Sequence, residues 1–141
     1  MLIIKKANTF WDYLSIRRLR NENRKFMTRD TSRVSLLRQI KFWWDTPKNV
    51  ELYVAYYGDY LAGYVLLRDA DDTTYITEAV SSDFRKIGVG TLMVRFAQTM
   101  RDKLLAEIRS DNVASIRLHE RCEFTLHEQT KECKVYVWHM K

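Results

Sequence analysis

The sequence predicts an α/β protein: a mixed sheet flanked by about four helices. Three observations carry that reading. Segments with apolar residues at helical spacing alternate with short runs rich in β-branched and aromatic residues. A strand–turn–helix unit at 75–100 is followed directly by a strand–helix unit at 104–121. The 141 residues suit one hydrophobic core, hence one domain over 1–141.

Each element has its own signal. Leu2 to Ala7 reads as a first strand. Asn8 or Thr9 can cap a helix over about 10–22, with Phe10, Leu14 and the following apolar positions as one face and Leu19 in the core. Asp30, Thr31 or Ser32 can cap a second helix over about 32–45, where Val34, Leu37, Ile40 and Trp44 recur at helical spacing before Pro47 stops it. Trp11, Trp43 and Trp44, also at helical spacing, are expected in the core. ELYVAYY and LAGYVLLR flank Gly58-Asp59, a hairpin signal. A polar turn at Asp69–Asp72 leads to TTYITEAV, a third β-rich run. Residues 91–103 form an amphipathic helix with Leu92, Phe96 and Met100 on one side, and LLAEI at 104–108 is a buried strand. Residues 111–121 are helical, and FTLHEQT and KVYVWHM close the chain as a hairpin. No repeat, low-complexity tract or linker interrupts this order.

Composition narrows the class. There are only 4 Gly and 1 Pro, where average usage gives roughly 10 and 7. Collagen-like, Gly/Ser-linker and Pro-rich disordered readings are excluded. No apolar run reaches the roughly 20 residues of a membrane-spanning helix. In MLIIKK the lysines follow the apolar stretch, the wrong order for a signal peptide. Cys122 and Cys133 are too few for a disulfide framework, and neither they nor His119, His127 and His139 show metal-ligand spacing. A metal-free cytoplasmic protein without membrane attachment is the expectation. The charge is uneven. Lys+Arg number 24 and Asp+Glu 18, a net of +6, yet residues 17–41 alone carry nine basic residues against Glu22 and Asp30. That segment favours anionic partners, although any one of its arginines is more often a solvated charge.

The decisive segment is Val80-Ser-Ser-Asp-Phe-Arg85-Lys86-Ile87-Gly88-Val89-Gly90-Thr91-Leu92, between an expected strand and an expected helix. Two glycines let successive backbone N–H groups approach a phosphate. The helix N-terminus adds unpaired donors and a positive dipole end, and Arg85 and Lys86 add full charges. Alone this pattern is weak. It is neither a P-loop nor a complete dinucleotide fingerprint. Downstream, AEIRSDNVASIRLHERCEF at 106–124 places Asn112, Ala114-Ser115-Ile116, Leu118, Glu120 and Phe124 where the GNAT N-acetyltransferase superfamily has its strand–helix segment. The sequence resembles that superfamily over essentially its whole length. RLRNENRKF, IKFWW and YITEAV further resemble branches that acetylate amino groups on nucleotide-linked sugars.

The resemblance implies a GNAT-like, mostly antiparallel sheet whose central strand pair splays apart, with acetyl-CoA as co-substrate in the gap. It implies cofactor contacts at Val80, Arg85, Lys86, Ile87, Gly88, Val89, Gly90, Thr91 and Asn112. The backbone N–H near Val80 would polarise the thioester carbonyl. Glu78, two residues earlier on the same strand face, is the expected general base, direct or through water; a charge paired with a neighbouring Arg, or a strand face that is simply wet, is the plain alternative. His119 stands where the family commonly has Tyr near the leaving thiolate. An imidazolium of pKa about 6.5 could protonate a thiolate of pKa about 8.5, although a histidine packed on the cofactor or lying at the helix surface is the alternative. Lys86 and Ile87 depart from the usual small and basic pair. Glu123 replaces the usual Gly before Phe124, so the left-handed Gly cap is expected to be lost. Arg18, Arg20, Asn21 and Arg24 are expected to hold an anionic small-molecule amine, an amino-sugar nucleotide first. Among Tyr56, Tyr57, Tyr60 and Tyr64, around the hairpin, one or two are expected to touch it. Protein, peptide or aminoacyl-RNA acetylation is the rival enzyme reading, and a catalytically silent acyl-CoA-binding module the rival class. A bare nucleic-acid binder lacks any reader motif. Monomer and homodimer are both compatible with the sequence.

Overall fold

The computed structural model describes residues 1–27 and 33–141. In chain order it runs β1 (Leu2–Lys6), α1 (Phe10–Glu22), α2 (Leu36–Trp44), β2 (Val50–Tyr57), β3 (Tyr60–Ala70), β4 (Thr73–Val80), α3 (Val89–Met100), β5 (Lys103–Arg109), α4 (Val113–Arg121), β6 (Thr125–Gln129) and β7 (Cys133–His139). Short 3₁₀ turns follow α1 at Arg24–Phe26 and β4 at Ser82–Phe84. The strands form one sheet of order β1-β2-β3-β4-β5-β7-β6. Every neighbouring pair is antiparallel except β4 and β5.

Alternation along the strands sorts the two faces. Val65, Leu67 and Ile76 pack with Leu104, Ala106 and Ile108 under α3 and α4. Tyr64 and Ala79 face the other way, against Tyr13, Ile16 and Leu19 of α1. At the start of α1, Thr9 accepts from the Asp12 N–H at 3.1 Å while the Asp12 carboxylate accepts from the Thr9 N–H at 3.3 Å. This reciprocal capping explains why the helix begins where the sequence predicts.

Several expectations need correction. The buried stripe of α1 is Tyr13, Ile16 and Leu19; Phe10 and Leu14 are only half-buried. Ser35, not an earlier residue, caps α2 by accepting from the Arg38 N–H at 3.1 Å. Asp30, Thr31 and Ser32 lie outside the described residues. The apolar stripe of α2 does not face the core: Leu37 is 75% and Trp44 82% exposed. Phe42 and Trp43 pack inward instead. Trp11 is also at the surface. The α2 pattern is amphipathic, but the helix uses its neighbouring face because Gln39 is drawn inside by the Tyr13 carbonyl, 2.6 Å away. Helix α3 ends at Met100, and Lys103 already belongs to β5.

One feature of the sheet creates the site. Strands β4 and β5 pair only at Thr74 with Leu104 and Tyr75 with Leu105. Beyond those rungs they separate, so backbone on both sides of the gap lacks a strand partner. The N-termini of α3 and α4, which follow β4 and β5 in the chain, lie at the open end of this gap.

Candidate active site

The gap opens into a cleft of about 890 Å³. Its walls come from the end of α1, from β3, β4 and β5, and from the starts of α3 and α4. Val80, Arg85, Lys86, Gly88, Val89, Gly90, Thr91 and Asn112 all line it. Ile87 does not; its side chain points outward.

The loop after β4 is shaped by its backbone. Gly88 caps α3 with φ +90°, a left-handed conformation natural to glycine, and no side chain caps the helix there. Lys86 also adopts a left-handed φ, +66°. A Cβ at Gly90 would stand 3.0 Å from Leu118 of α4. The first N–H groups of α3 thus face the cleft without a capping side chain, a cradle for an anion. Asn112 caps α4: its Oδ1 accepts from the Ser115 N–H at 3.2 Å.

The end of α1 holds this loop in place. Glu22 accepts from the Ser82 N–H at 3.0 Å, and the Arg85 guanidinium donates to Asn23 Oδ1 at 2.8 Å. Helix α1 therefore touches the loop and the cleft at once. Sequence reasoning did not single out Glu22 or Asn23; a polar pair closing an amphipathic helix carries no local sign of a contact some 60 residues away.

Deeper in the cleft, His119 is 1% exposed, and its Nε2 lies 3.1 Å from Oε1 of Glu78. His119 Nδ1 is 2.7 Å from the Ser115 carbonyl oxygen. A carbonyl can only accept, so Nδ1 carries a hydrogen. Nε2 stands at ion-pair distance from Oε1, yet it makes no hydrogen bond of good geometry among the described residues. Burial alone pulls the imidazole's proton affinity down, but the Glu78 carboxylate outweighs it, and the His119 pKa is raised above the ordinary histidine value. Glu78 thus favours the protonated form of the imidazole. The other oxygen of Glu78, Oε2, is buried and has no hydrogen-bond partner among the described residues. An orphaned carboxylate oxygen is costly unless a ligand or water meets it, and such groups cluster where chemistry occurs.

The four residues expected to hold the acceptor separate. Arg20 lines the cleft, with Asn23, Phe26 and Met27. Arg18 and Asn21 line a different hollow of about 250 Å³ with Arg17, Glu22 and Arg33. Asn21 is buried and clamps Val34, accepting from its N–H at 2.6 Å and donating to its carbonyl at 3.0 Å. Arg24 is exposed and lines neither. No tyrosine of the hairpin lines the cleft. Tyr56 donates to Asp12 at 2.9 Å, Tyr57 stacks on Phe84, Tyr60 is exposed and Tyr64 is buried against α1. Glu123, which lacks the expected glycine, still adopts φ +71°, and the Phe124 N–H reaches the His119 carbonyl at 3.0 Å. The left-handed cap is kept with a strained residue in it.

The model of the Acetyltransferase (GNAT) family matches residues 14–124. Among solved structures, an N-acetyltransferase from Staphylococcus aureus Mu50 superposes with a TM-score of 0.84 at 15% identity, over 100% of this chain and 99% of that one. The spermidine N-acetyltransferase from Vibrio cholerae, solved with CoA and spermine, gives 0.84 at 13% identity, over 99% and 95%. The ribosomal-protein-S18-alanine N-acetyltransferase from Escherichia coli gives 0.75 at 15%, over 99% and 94%. No curated protein sequence matches significantly. Likeness at such identities speaks for the fold, and the family match covers most of the sequence. The chain belongs to the acetyltransferase (GNAT) family.

Proposed function

We propose that the whole chain, 1–141, is an acetyl-CoA-dependent N-acetyltransferase acting on a primary amine that carries negative charge, with an amino-sugar nucleotide as the first candidate. The observation that carries this reading is the buried Glu78–His119 pair, with its unpartnered oxygen, at the head of a cleft that ends in a glycine-shaped anion cradle.

The residues fit an acyl-CoA. The bare start of α3 suits a pyrophosphate, with Lys86, Gly88, Val89, Gly90 and Thr91 around it and Arg85 and Ile87 flanking. The splayed strands leave backbone free for an extended amide-bearing arm, and Asn112 stands beside that path. Acetyl-CoA, when bound, supplies an activated thioester, and the Val80 N–H is the group assigned to its carbonyl.

An amine arrives as ammonium and must lose a proton before it can attack. Oε2 of Glu78 is the acceptor assigned to that proton, while Oε1 stays held by His119. His119 keeps a proton at Nε2 that can be given to a departing thiolate. The acceptor side carries Arg20 and Arg68, which supports an anionic acceptor over a polycation such as spermine. Cys122 and Cys133 are thiols rather than a disulfide, which suits a reducing, cytoplasmic setting, for a monomer or homodimer.

The test pairs calorimetry with acetyl-CoA and a thiol-release assay over amino-sugar nucleotides, polyamines, peptides and aminoacyl-RNA. Micromolar cofactor binding with turnover confined to anionic amines is the expected result. No binding at millimolar acetyl-CoA overturns the reading; binding without turnover of any amine leaves a silent acyl-CoA module.

A further inference from the structure

We propose that Arg68, seated on the ring of Tyr75, selects the acceptor, and that the acceptor bears an oxyanion remote from its reacting nitrogen. The proposal rests on the N-acetyltransferase reading and narrows its substrate class.

Arg68 of β3 and Tyr75 of β4 are direct cross-strand partners. The guanidinium carbon lies 4.4 Å from the tyrosine ring centroid. Both residues line the cleft, and Tyr75 sits on the last rung that joins β4 to β5. They therefore mark the closed end of the gap. The next rung on their face is Leu66 with Thr77, also in the cleft wall. This is the face covered by α1, whereas Glu78 pairs with Val65 on the opposite face. The acceptor half and the Glu78–His119 half thus meet through the gap.

Arg68 contrasts with Arg101 nearby. Arg101 is tied to Glu51 and Asp69. No carboxylate among the described residues pairs with Arg68. The ring contact holds the guanidinium in the cleft wall and consumes none of its N–H groups, which suits bidentate capture of a phosphate or carboxylate.

Register sets the length of what is captured. Three residues separate Tyr75 from Glu78, the acceptor assigned to the amine's proton, about 10 Å of strand at about 3.3 Å per residue. An amine at Glu78 and an oxyanion at Arg68, the cross-strand partner of Tyr75, thus stand on the order of 10 Å apart. An α-amino acid, whose carboxylate is two bonds from the nitrogen, cannot span this; an amine with a distant phosphate or carboxylate can.

The experiment compares hexylamine, glycine, ω-aminooctanoate and aminohexyl phosphate as acceptors for wild type, Arg68→Gln and Arg68→Lys. The two long anionic amines should exceed hexylamine and glycine in kcat/KM. Arg68→Gln should cut that value about 10- to 100-fold for the long anions, with hexylamine turnover and the acetyl-CoA KM unchanged. Arg68→Lys should restore part of the loss, since charge remains without the fork. The anion with the larger Arg68 dependence names the group as phosphate or carboxylate. Equal losses for hexylamine and the anions, or no advantage of the long anions in wild type, overturn the proposal. Calorimetry with CoA-loaded protein separates the two claims. Arg68-dependent binding of aminohexyl phosphate without acetylation of any amine sinks the transfer reading alone. Acetylation of amines without that binding sinks this proposal alone.

Discussion

Strand β4 has a polar cluster near each end, and the two are built to opposite plans. At its start, Arg101 donates to Glu51 and to both oxygens of Asp69, at 3.1 and 3.0 Å for the latter. Thr74 donates to Asp69 at 2.5 Å and Tyr53 to Glu51 at 2.9 Å. Each polar atom of this cluster meets a partner of opposite character, and here β4 and β5 are hydrogen-bonded. At the other end the strands have parted, and Glu78 and His119 share a single contact with Oε2 left over. A satisfied network stiffens the structure around it; an incomplete one keeps bonding capacity for something that arrives later. The first cluster lies beside the paired end of the gap, and the second lies where the strands have parted.

Breaking the open end should have the largest effect. Glu78→Gln should lower kcat about 10²- to 10⁴-fold without changing acetyl-CoA affinity measured by calorimetry. The pH profile gives the sign. The raised His119 pKa means its proton is held above the ordinary value of about 6.5 and lost as pH rises through the raised one. Residual activity of Glu78→Gln should therefore lose its alkaline limb at lower pH than wild type, because the carboxylate that raises that pKa is gone. The ion pair's share of stability follows the same window: full below about pH 6.5, and lost above the raised value.

Next comes the cradle beside that end. Gly88→Val puts a β-branched residue at φ +90°. A β-branched residue resists that left-handed region, at a cost of about 1–2 kcal/mol or more. The loop should move, and acetyl-CoA binding should weaken at least about 100-fold, while circular dichroism of the fold is preserved.

The closed end should behave as structure only. Arg101→Gln should cost about 1–3 kcal/mol of unfolding free energy at neutral pH with kcat/KM unchanged. Asp69 is 42% exposed, so part of its share is screened by solvent. Hydrogen bonds from Arg101 hold both carboxyls below their usual range. Their contribution is present above about pH 4 and lost as pH falls through the lowered values. The wild-type advantage over Arg101→Gln in denaturant melts should thus shrink in acid. A loss of kcat equal to that of Glu78→Gln would erase the distinction between the ends.

The smallest effect is a gain. Glu123→Gly relieves a left-handed non-glycine residue behind His119 and should add about 1 kcal/mol of stability. Thermal melts should rise by a few degrees with kinetics unchanged. A change in kcat here would mean that the end of α4 tunes His119.

Most of the fold was legible because its signals are local. The Thr9 cap, the Gly58-Asp59 turn, the β-rich runs and the run from Val80 to Thr91 each declare themselves within a dozen residues. The exposed face of α2 was not legible. Leu37, Ile40 and Trp44 form as good a stripe as any in the chain, and the Gln39 bond to Tyr13 with the packing of Phe42 and Trp43 selects the other face. The acceptor side failed for a related reason. Arg18, Arg20, Asn21 and Arg24 crowd one stretch of sequence, but a helix points consecutive residues in different directions. One of the four reaches the cleft, while Arg68, which does reach it, stands in a strand that looked like core.

By itself the sequence determined the order of elements, the glycine-shaped loop and the presence of a carboxylate and an imidazole on the strand and helix that flank the gap. These depend on backbone preferences and on spacing, which are properties of neighbours in the chain. Tertiary structure alone decided that Glu78 meets His119 across 41 residues of chain at 3.1 Å, that Oε2 is left over, and that Glu22 and Asn23 brace the loop. Those facts depend on where β4 and β5 stop pairing, and two rungs of one parallel ladder set that point.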